Sequence, residues 1–348
     1  MNPSIILFLT LSLLLGTMMT FTGTNWLLIW MGLEINTMAI IPLMISQQHP
    51  RAVEATTKYF LTQATASALI LFAGLSNAWL TGQWELTQMT TQTSIMLVTL
   101  ALALKIGLAP MHFWLPEVLQ GVNLTTGLIL STWQKLAPFA ILLQLHHTLN
   151  PNLLMFLGFS SIIVGGWGGL NQTQLRKILA YSSIAHLGWM IIILHYMPNL
   201  TLLNLMLYII LTTSMFLMFI NINATKINSI APSVMKLPLL SIILLTSLLS
   251  LGGLPPLSGF MPKLLILQEL TKQNMMTMAT LMALATLLSL YFYLRLCYTI
   301  SLTISPNLTL SPSAWRPSST KSYLLLTTST MMSLFLLPLT PMILMLTM

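Results

Sequence analysis

The sequence predicts an all-α, polytopic membrane protein of about eleven transmembrane helices, and three observations carry that reading. The first is composition: 56% of the 348 residues are hydrophobic and 5% charged, with a mean hydropathy of +0.86, whereas soluble domains carry about 25% charged residues. The second is a series of apolar stretches, each long enough to cross the hydrocarbon core. The third is a proline-interrupted motif that occurs twice. No alternating pattern marks a barrel, and lipid leaves the backbone little choice but the helix.

The stretches fall at 3–21, 25–45, 56–79, 92–116, 123–146, 152–170, 175–194, 199–221, 238–268, 274–298 and 322–345. The first follows no basic segment and contains no small-residue cleavage site, so it is expected to stay as a permanent span. The longest connection, about Thr299 to Lys321, is polar and holds three prolines, as a surface loop does. Charges between the spans report topology. Arg51, Arg176, Lys177, Lys226, Lys236, Arg316 and Lys321 follow even-numbered spans, and Lys58 and Arg295 lie just inside neighbouring helix ends. Lys272 alone follows an odd-numbered one. That bias places the N-terminus on the positive-loop side of the membrane.

The repeated motif lies in the fourth and ninth spans. Gly107-Leu-Ala-Pro110 is followed by Trp114 and Pro116; Gly253-Leu-Pro-Pro256 is followed by Phe260 and Pro262, 146 residues on, with Glu117 opposite Lys263. A proline inside a span removes a helix hydrogen bond. Two such interruptions at matching places in two halves point to a transporter built from repeats, with its site where the helices break.

Four ionisable residues remain near span centres: Glu34, Lys105, Lys135 and Lys263. Inserted unpaired they would cost on the order of 10 kcal/mol, so they are expected to face one another or buried water. Burial favours a neutral amine and a nearby carboxylate favours the ammonium, so a buried lysine between the two can load and release a proton. Glu34 with Lys105 is the first candidate pair, with Lys135 passing the proton on and Lys263 as the far terminal. His112, seven residues after Lys105, and His186 are candidate relays. Glu54 and Lys58, four residues apart, read as a helix-surface pair. Lys58 is also a candidate proton entrance, and Glu117 a candidate cavity mouth.

Other chemistries are excluded. Aspartate is absent, the five acids are scattered and the histidines lack ligand spacing, so no metal site is expected. The single cysteine, Cys297, cannot hold an iron–sulfur cluster. The run Gly165-Gly-Trp-Gly-Gly169 lacks dinucleotide-binding spacing and reads as close helix packing. Thirteen scattered Lys and Arg form no basic run, so nucleic acid is not an expected partner.

These same residues carry a resemblance. LEIN around Glu34, VEATTKYFLTQATAS at 53–67, LALKIGLAPMHFWLPEV at 102–118, STWQKLAP at 131–138, GGWGGLNQTQLRKILAYSSIAHLGWM at 165–190 and LSLGGLPPLSGFMPK at 249–263 closely resemble the chain 2 family of NADH–ubiquinone oxidoreductase. These are the mitochondrially encoded, antiporter-like membrane-arm subunits of vertebrate respiratory complex I. The resemblance implies one transmembrane domain over 1–348, with two inverted five-helix repeats, about 1–148 and 150–300, and a C-terminal helix at about 322–345. It implies a proton-translocating unit of the mitochondrial inner membrane with its N-terminus in the matrix. Glu34 and Lys105 become the modulating pair, Lys135 the connecting lysine and Lys263 the lysine of the second broken helix. NADH, FMN, iron–sulfur clusters and ubiquinone are expected in partner subunits, with no cofactor in this chain. Expected partners are other complex I subunits, including neighbouring antiporter-like chains, and membrane lipids such as cardiolipin. From the residues alone, a free-standing cation/proton exchanger and a passive scaffold held by buried charges remain the competing classes.

Overall fold

The computed structural model describes residues 2–46, 48–230, 238–302 and 324–347. Its first helices are α1 (Pro3–Thr22), α2 (Trp26–Met44), α3 (Pro50–Thr81), α4 (Gln92–Ile106), α5 (Trp114–Gly121) and α6 (Leu124–Gln144). There follow α7 (Pro151–Gly169), α8 (Leu175–Ile193), α9 (Pro198–Ile222), α10 (Pro238–Gly252), α11 (Phe260–Lys272) and α12 (Met276–Leu302). Last come α13 (Leu324–Phe335) and α14 (Thr340–Thr347). Among the described residues, seven helices are long and apolar enough to cross a membrane by themselves. Outward-facing Phe8, Leu7, Phe72 and Leu284 are 60–70% exposed, as side chains that meet lipid must be.

Local sequence explains the boundaries. Pro3, Pro50, Pro151, Pro198 and Pro238 each open a helix, where a missing N–H costs nothing and the fixed φ already suits the first turn. The third helix, 32 residues long, starts earlier than its apolar stretch because the His49 side chain caps it, accepting from the Arg51 N–H at 3.1 Å. Arg51, Arg176 and Lys177 consequently stand in first helical turns rather than in loops. The last stretch forms two helices instead of one: Pro338 and Pro341 interrupt it, with a short 3-10 turn at Leu337–Leu339. Lys236, Arg316 and Lys321 lie outside the described residues.

The chain divides into two compact units, residues 1–164 with 183–198, and residues 165–182 with 199–348. In the first, α3 and α6 pack against a broken helix made of α4 and α5, with α2 lying on α3 and α6. In the second, α10 packs on α12 and α13, and the glycine run at the end of α7 meets α12. A Cβ at Gly166 would stand 2.8 Å from Leu288 Cβ, and one at Gly169 2.8 Å from the Phe292 ring. That is the close helix approach the sequence predicts. Each unit also has one short antiparallel bridge tying the residues before a helix to a later loop, Asn25 to Glu85 and Gln174 to Lys226.

Candidate functional site

The first unit's site is built on the broken helix. α4 ends at Ile106 because Gly107 turns left-handed (φ 85°), its N–H and that of Leu108 both reaching back to the Ala103 carbonyl at 2.9 Å. Pro110 cannot resume the helix, and the chain runs irregularly until Trp114 starts α5. Such a break in a membrane persists only if the freed carbonyls find partners inside the protein. They do: the Trp114 indole donates to the Leu104 carbonyl at 3.0 Å, Gln63 to that of Lys105 at 3.3 Å, and Ser160 to that of Ala109 at 3.1 Å.

Lys105 occupies the last turn of α4, where the helix dipole favours a cation. Its side chain is buried, and its amine has no hydrogen-bond partner among the described residues. Beside it lies a cavity of about 20 Å³, space for the centre of one water, which Lys105 lines together with Lys135, Asn36, Tyr59, Gln63 and Gln134. Gln134 donates to the Asn36 backbone carbonyl at 3.2 Å, but both polar atoms of the Asn36 side chain are buried without a partner. An amine and an amide without a hydrogen-bond partner among the described residues thus border one cavity, the kind of place a water molecule suits. Lys105 and Lys135 therefore line one cavity of mixed polar and apolar walls, although they lie on different helices, α4 and α6.

Glu34, on α2, is half-buried, and one carboxylate oxygen accepts from Thr37 Oγ1 at 3.3 Å. It makes no ion pair with Lys105 within 4.0 Å, yet it is near enough to act electrostatically on both Lys105 and Tyr59. His112 is buried in the irregular stretch after α4, its ring 4.4 Å from that of Phe113. The helix that would have stacked it two turns above Lys105 does not continue that far. His186 is buried within α8. Lys58 binds Glu54 at 2.7 Å, as the spacing predicts, and also Glu117 of α5 at 2.7 Å.

The second unit repeats the break with a different lysine position. α10 ends at Gly252, Gly253 is left-handed (φ 82°) and its N–H returns to the Leu249 carbonyl at 3.1 Å. Lys263, in the first turns of α11, reaches back across the break and donates to the Gly252 carbonyl at 2.9 Å. Ser258 in the same interruption donates to the Ser333 carbonyl of α13. The residues that sequence reasoning missed are Asn36, Tyr59, Gln63 and Trp114. The amides were visible as polar side chains inside apolar spans; nothing in the sequence says that they meet.

Two discontinuous helices among described residues that are nearly all helical, each bringing a lysine to the C-terminal end of its first half, define an antiporter-like membrane subunit. Comparison with known proteins agrees. Residues 23–289 match the family described as NADH:quinone oxidoreductase/Mrp antiporter, transmembrane, and residues 290–344 match the NADH dehydrogenase subunit 2 C-terminus. The chain is 67% identical over 346 residues to NADH-ubiquinone oxidoreductase chain 2 of Scyliorhinus canicula, covering 99% of each. It is 75% identical to that of Squalus acanthias over 245 residues, 70% of each chain. Its fold is similar to a chain of respiratory complex I from Thermus thermophilus, solved with bound aureothin, at TM-score 0.86 and 28% identity, covering 98% of this chain and 79% of that one. A chain of the Mrp complex from Dietzia has a similar fold, with TM-score 0.80, 16% identity, and 97% and 76% coverage. The chain belongs to the NADH-ubiquinone oxidoreductase chain 2 family.

Proposed function

We propose that this chain is a core membrane subunit of the proton-translocating NADH:ubiquinone oxidoreductase, complex I, and forms one of its proton-translocation units. The observation that carries the reading is the cavity shared by Lys105 and Lys135 behind the first break. A proton held as N–H on Lys105 can pass to a water in that cavity and from it to the Lys135 amine, since one small cavity touches both. Glu34 acts on Lys105 through space rather than by contact, so a change in its charge or position alters how firmly Lys105 holds its proton without breaking a bond. Lys263 is the terminal in the second unit, and His112, His186 and Lys58 are relays that refill or empty the lysines. The domain reads as two inverted repeats.

Electron transfer from NADH to ubiquinone takes place in partner subunits that hold the flavin and iron–sulfur centres; this chain contributes proton movement alone. The site is the mitochondrial inner membrane, with the N-terminus in the matrix, where the basic loops belong, and lipids such as cardiolipin meet those loops. The test is Lys105→Met in the assembled complex reconstituted in vesicles. NADH-driven proton uptake should fall while assembly is retained; unchanged translocation would assign the buried lysines to a scaffold. Transport by the isolated chain would favour the free-standing exchanger.

A further inference from the structure

Two of the chain's five acidic residues converge on one lysine just outside the Lys105 cavity. Lys58 Nζ stands 2.7 Å from Glu54 Oε1 and 2.7 Å from Glu117 Oε2. All three side chains are exposed, Lys58 to 42%, Glu54 to 63% and Glu117 to 53%. Glu54 and Lys58 come from α3, with Arg51 close enough to act on Glu54, while Glu117 arrives from α5, 59 residues on. In a chain with so little charge, this is a concentrated acid–base surface.

Tyr59 follows Lys58 on α3 and is buried; Trp114 precedes Glu117 by three residues on α5. Their rings meet edge to face, centroids 5.7 Å apart at 61°, and both rings line the Lys105 cavity. One turn deeper, Gln63 donates to the Lys105 carbonyl. The two helices that carry the charged cluster thus carry the aromatic wall as well.

We propose that Glu54, Lys58 and Glu117 form the outer proton-collecting site for the Lys105 cavity, and that the Tyr59–Trp114 ring pair is its gate. This rests on the proton-handling reading above. A Glu117 carboxylate oxygen takes a proton from solvent, forming O–H. The neutral acid then no longer holds the Lys58 ammonium by a charge-assisted bond. α5 loosens from α3, Trp114 moves off Tyr59, and water reaches the collected proton. The O–H breaks, the proton passes through that water to the Lys105 amine as a new N–H, and the restored carboxylate rebinds Lys58 and closes the wall.

The experiment measures NADH-driven proton translocation by the assembled complex in vesicles, at low buffer and with a high concentration of imidazole on the uptake side. Glu117→Gln and Glu54→Gln are expected to slow translocation severalfold at low buffer and to recover with imidazole, because a diffusible carrier replaces a lost collector and does not mend a lost tether. Wild-type rates at low buffer, or a loss that imidazole leaves unrelieved, would overturn the collecting role. Trp114→Leu is expected to raise the passive proton conductance of the vesicles without NADH; unchanged conductance would overturn the gate. Lys105→Met, inactive at both buffer levels, is the reference, and activity there would instead sink the underlying proton reading.

Discussion

The two broken helices use the same punctuation and place their lysines on opposite sides of it. Gly107 and Gly253 both adopt a left-handed φ, 85° and 82°, and both return an N–H to the preceding turn. Lys105 stands before its break, in the last turn of α4, whereas Lys263 stands after its own, in the first turns of α11. Both positions serve the same electrostatic end. The C-terminal end of a half-helix carries partial negative charge and unsatisfied carbonyls, and a cation is favourable there from either direction. The difference lies in who satisfies the carbonyls. In the first break Trp114, Gln63 and Ser160 do so, leaving the Lys105 amine without a partner among the described residues; in the second, Lys263 does part of that work itself. The Lys105 amine is therefore left bare beside its cavity, whereas the Lys263 amine holds its own break closed.

The sharpest way to break this contrast is to remove each lysine. In the assembled complex both Lys105→Met and Lys263→Met should lower proton translocation, by about tenfold or more if each carries protons in series. Their stabilities should diverge. Each substitution removes an intramembrane cation whose insertion costs roughly 2.5–3.5 kcal/mol, but Lys263→Met also strips the Gly252 carbonyl of its donor, at a cost of about 1–3 kcal/mol. The complex should therefore melt lower with Lys263→Met than with Lys105→Met; equal melting would erase the distinction.

Gly253→Ala sharpens it from the other side. A Cβ there would stand 2.8 Å from Lys263 Nζ, so the substitution both strains a left-handed residue and displaces the amine. At Gly107 the added Cβ would instead meet Leu115 Cδ1 at 2.9 Å, away from Lys105. Both should cost about 1–2 kcal/mol in melting experiments, but Gly253→Ala should slow translocation more than Gly107→Ala. The smallest effect is expected from Trp114→Phe, which keeps the ring and loses one donor to the Leu104 carbonyl, about 1 kcal/mol. A larger loss would mean that the indole N–H has a part beyond holding the break.

Much of this was legible in residue order. The Gly-Leu-x-Pro runs marked both interruptions, and two of the isolated lysines in apolar spans, Lys105 and Lys263, stand beside them. The spacing of Glu54 and Lys58 predicted their bond. What was not legible came from elements far apart in the chain. Glu117 completes the Lys58 cluster only because α5 packs on α3, and Asn36, Gln63 and Gln134 become one polar lining only where α2, α3 and α6 meet. The seven-residue spacing from Lys105 to His112 suits a continuous helix, and the break at Gly107 removes that stacking.

The sequence by itself determined that the chain is a membrane protein, how its spans alternate with loops, where two helices break and which charges stay inside. Each of these follows from transfer free energies and backbone geometry, which act residue by residue. Only the tertiary structure decided which donors close each break, that Lys105 and Lys135 line one cavity while Glu34 makes no ion pair with Lys105, and that Lys263 secures the Gly252 carbonyl. Those outcomes depend on how helices distant in sequence pack, and side-chain reach across a packed interface is set by three-dimensional placement, which no local pattern encodes.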